Sequence, residues 1–164
     1  QPPLCPKAMP NAQPPKKSTS QIRATKFTQH GVVDIWTEGA FVHYEASGPF
    51  NIELMDCLAI AQRDYLLANR PQGRWVSICT LLDNAMTSPD AMARFAEVMT
   101  APKPYNMLPV ATAFVIAPDV EGGVIMAPLF AKIYIGIGRP FQIFETMPAA
   151  KLWAESMLGQ AGTD

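Results

Sequence analysis

Apolar and polar positions fall into regular patterns from Gly31 onward. Val32 to Thr37 is rich in β-forming residues, and Glu38-Gly39 separates it from Ala40 to Ala46. Two such runs around a glycine-containing break predict a β-hairpin. In its second strand Phe41, His43 and Glu45 share one face, and Val42, Tyr44 and Ala46 the other. Ser47-Gly48-Pro49 stops the strand, and Asn51 is suited to cap a helix. From Ile52 to Asn69, apolar residues at Met55, Leu58, Ala59, Tyr65 and Leu66 recur every three or four positions. That spacing predicts an amphipathic helix, ended by Arg70-Pro71-Gln72-Gly73.

Trp75 to Leu82 is nearly continuous apolar, as in a strand covered on both faces. Ser88-Pro89-Asp90 predicts a helix start: a capping hydroxyl, proline at the first helical position and an acid in the first turn. Met92, Phe95 and Met99 form its inner stripe, and Ala101-Pro102-Lys103-Pro104 ends it. Val110 to Ala117 is a second covered strand. Gly122 to Gly138 reads as mostly helix, interrupted or begun near Pro128, with a strand-like end at Ile133 to Ile137. Phe141 to Phe144 is a short strand, and Thr146-Met147-Pro148 opens a last helix that turns Ala150, Trp153 and Met157 inward. The order β-β-α-β-α-β-α-β-α implies an α/β fold: a mixed sheet of about five strands with four helices and right-handed crossovers.

Composition changes this picture at the ends. Of the 164 residues 49% are hydrophobic and 16% charged, with a net charge of −1. That is less charge than soluble domains usually carry, so some apolar surface is expected to serve contact. Residues 1–33 hold Lys7, Lys16, Lys17, Arg23 and Lys26 and no acid, so the remainder, with eight basic residues against 14 acids, is acidic. Six of the 16 prolines lie in the first twenty residues, where large apolar side chains are scarce. Residues 1–28 therefore read as an extended, Pro-rich basic tail, 29–160 as the domain and 161–164 as its C-terminal end. Five dispersed charges do not make a nucleic-acid footprint. The tail has no signal-peptide core, and a start at Gln rather than Met points to processing or a longer parent chain. No apolar run reaches the length of a membrane span, the longest being Val124 to Gly138, so integral membrane association is not expected. Cys5, Cys57 and Cys79 are too few and too irregular for a disulfide scaffold or zinc knuckle, and two histidines make no His-rich metal site. The expected setting is a reducing, cytoplasmic one, with no cofactor.

Catalytic constellations are thin. Gly136-Ile137-Gly138 lacks the third glycine of a dinucleotide loop and precedes a strand, so it reads as a chain reversal. His43 with Asp34 and either Cys57 or Cys79 could be written as a nucleophilic triad, but both cysteines suit the core and His43 reads as a half-exposed strand residue. Glu38 and Glu45 read as solvated surface acids. Met86, Met92, Met99 and Met107 suit core filling, or the lining of an adaptable ligand surface. An enzyme is not expected.

Several segments nevertheless resemble one family in their order. They are Glu38-Gly39-Ala40-Phe41, Ser47-Gly48-Pro49 before a long helix, the strand ending in Leu81-Leu82-Asp83, Arg139-Pro140-Phe141-Gln142-Ile143-Phe144, and Ala149-Ala150-Lys151-Leu152-Trp153. Over residues 31–159 the chain resembles the STAS group of sulphate-transporter tails and anti-sigma-factor antagonists. It is most similar to the SpoIIAA-like branch, which is discussed beside lipid-binding domains. The resemblance implies a non-enzymatic regulatory or protein-interaction module. In signalling members a serine after the third strand is phosphorylated. Here that place is held by Met86-Thr87-Ser88-Pro89-Asp90-Ala91, with Ser88 and Thr87 the candidate phosphoacceptors, although the Asp-Ser-Ser-Gly motif is absent and helix capping explains Ser88. The second expectation is a carrier or sensor of a small apolar or lipid-like ligand. In the Gly122–Gly138 helix, apolar residues wrap most of the circumference, so a surface including Met126, Leu129, Phe130, Ile133 and Tyr134 is expected to meet a second copy, another protein, the tail or an apolar ligand.

Overall fold

The hairpin is the frame on which the rest is hung. In the computed structural model, which describes residues 15–24, 26–104 and 107–160, strands β2 (Val32–Glu38) and β3 (Phe41–Ser47) pair antiparallel around Gly39. Three parallel strands then extend the sheet, β4 (Val76–Leu82), β5 (Ala111–Ile116) and β6 (Phe141–Phe144). Helices α1 (Ile52–Asn69), α2 (Pro89–Thr100) and α3 (Gly123–Gly136) make the crossovers between them. Each crossover steps the same way along the sheet, so a common right hand places all three helices on one face. Helix α4 (Met147–Gly159) follows the last strand and packs on the other face.

The strand alternation settles which residues look where. Val42, Tyr44 and Ala46 join the core beneath α1–α3. Phe41, Val76, Ile78, Ala111, Ala113 and Val115 form the smaller core under α4, with Ala150 and Ala154. The helix caps lie where the sequence puts them. Asn51 Oδ1 accepts from Leu54 N at 3.0 Å, and Thr146 Oγ1 accepts from Ala149 N at 3.4 Å.

Three expectations are corrected. The sheet has six strands, not about five: Lys16–Ser18 is a further strand, β1, antiparallel to β2, in the order β1-β2-β3-β4-β5-β6. Its side chains give no apolar pattern, and its hold comes from its neighbours. Lys16 Nζ lies 3.4 Å from Asp34, and fully buried Thr19 accepts from Val33 N at 2.9 Å through Oγ1. Of the segment read as tail, Lys16–Ser18 joins the sheet and Thr19–Gln21 forms a 3-10 turn, whereas 1–14, with Cys5, and 161–164 lie outside the described residues.

The second correction is that α3 is one helix, begun at Gly123 and carried through Pro128 and Ile133 to Gly136. Met126, Phe130 and Tyr134, four residues apart, press onto the sheet and α2, with Tyr134 stacked on Phe141 at 4.7 Å and Phe130 edge-on to Phe95 at 5.7 Å. That packing outweighs the hydrogen bond lost at exposed Pro128. Gly122 is required at its start: φ is +72°, and a Cβ there would fall 2.4 Å from Met86 Sδ. Third, His43 is buried rather than half-exposed. It stacks on Trp36 at 5.2 Å, and its Nε2 lies 3.2 Å from Glu38. Among the described residues, no helix is long and apolar enough to cross a membrane.

Candidate functional site

The face of the sheet under α1–α3 carries unusually small side chains at its centre. Ala46 on β3, Ser77 and Cys79 on β4, and Thr112 on β5 all point to that side, because the register sets Tyr44 beside Cys79 and Ser77 beside Thr112. The helices above supply large residues that do not reach down to fill the gap. Leu54, Met55, Leu58 and Leu66 come from α1, Phe95 and Met99 from α2, and Phe130 and Tyr134 from α3. A cavity of about 80 Å3 results. Its walls are overwhelmingly apolar, and buried Trp75 and Met107 are among them.

The cavity opens near the N-terminal ends of β4 and β5, between the α2–β5 connection and the turn after α3. The polar groups gather there. Ser77 Oγ and Thr112 Oγ1 are 2.7 Å apart and buried, and Arg139 Nη1 donates to Thr112 Oγ1 at 3.3 Å. The Arg139 guanidinium lies over the Tyr134 ring at 5.7 Å, and Lys103 Nζ donates to the carbonyls of Val98 at 2.6 Å and Ala101 at 3.3 Å. Burial lowers the pKa of Arg139; it also lowers that of Lys103, which the charge of Arg139 lowers further. Burial pushes the Tyr44 and Tyr134 hydroxyls up, and the Cys79 thiol up to about 12, so the wall of the cavity holds a neutral thiol and neutral phenols.

The residues singled out from the sequence divide. Phe130 and Tyr134 line the cavity and Met126 is buried beside them, so these three face inward rather than out to a partner. Ile133 is half-buried, and Leu129 remains exposed with Val124, Ile125 and Ile135 on the outer side of α3. Of the four methionines, Met99 and Met107 line the cavity, Met92 is half-buried against the core and Met86 is exposed. Ser88 caps α2, accepting from Ala91 N at 3.4 Å and donating to Asp90 Oδ1 at 2.5 Å. Thr87 is buried and donates to the Ala85 carbonyl at 3.1 Å.

The written triad does not assemble. His43 is on the α4 face of β3, whereas Cys79 is on the helix-covered face of β4, and the Cys57 thiol on α1 meets the Ile22 carbonyl at 3.6 Å. Glu38 is exposed but engaged, 2.8 Å from Lys151 Nζ as well as against His43. Its pKa is lowered, mainly by its hydrogen bond to Lys151. Among the described residues, no three His, Cys, Asp or Glu side chains converge as metal ligands would. Sequence reasoning did not assign roles to Ser77, Thr112, Lys103 or Arg139. Small polar side chains set among apolar ones in β4 and β5 were the available signal for the first two. No family model matches this chain, and comparisons with curated proteins and with solved structures give no match.

Proposed function

We propose that this protein is a carrier or sensor of a small apolar ligand, held between the sheet and helices α1–α3. The observation that carries this reading is the cavity itself: its walls are apolar, and a few polar groups converge at one end. A core built only for stability is packed without such space, because an apolar void forgoes contacts on every side. No catalytic step is assigned, since the candidate nucleophiles and the one buried histidine lie on opposite sides of the sheet or sealed in the core.

Trp75 lines the cavity and serves as a reporter. Titration with the neutral fluorophore N-phenyl-1-naphthylamine is expected to give saturable one-to-one binding with energy transfer from Trp75, and to lose that transfer in Trp75→Phe. Absence of saturable binding counts against the reading.

A second reading follows from the resemblance to the STAS group: a regulatory interaction module or homodimer. What favours it is the outer side of α3, where Val124, Ile125 and Ile135 are 84%, 65% and 70% exposed. Sedimentation of the wild type and Ile125→Glu tests it. A wild-type dimer that becomes a monomer in the variant supports self-association through α3, and a wild-type monomer removes the homodimer.

A further inference from the structure

Arg139 is placed oddly for a residue that only ends a helix. It lines both the cavity and the outer basin at its opening, and so does Lys103. A guanidinium carries five N–H donors, and the hydrogen bond to Thr112 uses one of them. Arg94 has Asp56 and Glu97, Lys151 has Glu38 and Lys16 has Asp34, whereas Arg70 and Arg74, which do not line the cavity, donate to backbone carbonyls. Among the described residues, no carboxylate forms an ion pair with Arg139 or Lys103. The Arg139 guanidinium lies over the Tyr134 ring, and the charge that reaches Lys103 is that of Arg139. Two like charges are therefore held together, partly out of water, at the mouth of an apolar chamber. Removing a cation from water without a counter-ion is costly, and a bound anion offsets that cost.

Resting on the cavity reading, we propose that the ligand is an amphiphile with an apolar body and a single anionic head, carboxylate or phosphate, and that Arg139 receives the head with Lys103 beside it. The two cations are not equivalent. Lys103 is already committed to the last carbonyls of α2, which explains its presence there without any ligand. Arg139 keeps a planar fork that matches a carboxylate or phosphate edge, with its face resting on Tyr134 and one donor tied to the Thr112–Ser77 hydroxyl pair. The apolar body then runs inward along Met99, Phe114, Phe130 and Leu58.

The test is calorimetric titration of the full chain with three probes of one chain length, dodecanoate, dodecanol and dodecyl phosphate, each below its aggregation threshold. The anions are expected to bind about tenfold or more tightly than the alcohol, as a charge-assisted contact implies. Whichever anion binds tighter identifies the head, and either result supports the site. Arg139→Gln is expected to remove most of that preference while dodecanol binding stays within about twofold, and Arg139→Lys to restore part of it. If Arg139→Gln does not fold, raising the salt concentration supplies the second measurement: wild-type binding of dodecanoate weakens and that of dodecanol does not. Equal affinity for dodecanoate and dodecanol overturns the anionic head and leaves the cavity reading standing. Binding of none of the three removes the cavity reading, and the head assignment with it.

Discussion

Cys79→Leu distinguishes a true void from a merely loose core by the sign of its effect. Cys79 lies at the middle of β4 with its side chain on the cavity wall, between the register partners Tyr44 and Phe114. Leucine places two more heavy atoms there. At about 0.8 kcal/mol per buried methylene, filling empty space gains up to about 1.5 kcal/mol. Were the walls in contact, the same atoms would force neighbours off their rotamers and cost about 1–3 kcal/mol. Urea denaturation reads the difference as a shift of midpoint at constant slope. The expected result is a variant at least as stable as the wild type, with weakened binding of N-phenyl-1-naphthylamine because the volume has been used up. A loss of more than about 1 kcal/mol with probe binding unchanged would refute the reasoning.

Three further outcomes follow from particular contacts. Asn51→Ala is expected to cost about 1–2 kcal/mol, since Asn51 Oδ1 caps α1 and also accepts from His30 N at 2.8 Å; Ser88→Ala should cost only about 0.5 kcal/mol, because Asp90 Oδ1 still accepts from Ala91 N at 2.9 Å. Denaturant midpoints that reverse this order contradict the cap assignment. Thr19→Val leaves the buried Val33 N–H without its acceptor, so a loss of about 1–3 kcal/mol and faster hydrogen exchange at Val33 are expected, and unchanged exchange would dissociate Thr19 from the anchoring of β1. Burial holds the His43 pKa below its ordinary value against the opposing pull of Glu38. As pH falls below about 6.5, the unfolded chain takes up a proton that native His43 refuses, so stability falls until the lowered native value is reached. Unfolding free energies between pH 7 and pH 5 should therefore decline more steeply in the wild type than in His43→Gln, and parallel curves would dismiss the buried neutral imidazole.

The hairpin and α1 were legible because their patterns are local: strict alternation in β3, and a capped three- and four-residue spacing from Ile52 to Asn69. α3 was only half legible. Apolar residues on nearly every side leave no periodicity to choose helix over strand at Ile133 to Ile137, whereas in the fold Tyr134 of α3 stacks on Phe141 of β6. β1 could not be read at all, because Lys16-Lys17-Ser18 pairs through its backbone and is held by a threonine that follows it. The cavity belongs to neither class. Small side chains at Ser77, Cys79 and Thr112 leave space facing the larger residues that α1, α2 and α3 bring to the cavity. That balance of volumes does not exist along the chain. Arg139 was visible as the residue after a glycine turn and the start of the Arg139–Phe144 segment, and it meets Lys103 where that turn lies beside the α2–β5 connection.

The measurement that bears most directly on a ligand-binding interior is methyl NMR of the methionines during titration with dodecanol. Met55, Met99 and Met107 line the cavity, whereas Met86 is exposed beyond it. Saturable shifts of the methyl signals of Met55, Met99 and Met107, with Met86 unmoved, are the expected result. Shifts confined to Met86, or none at saturating probe, would contradict a cavity that takes up an apolar ligand.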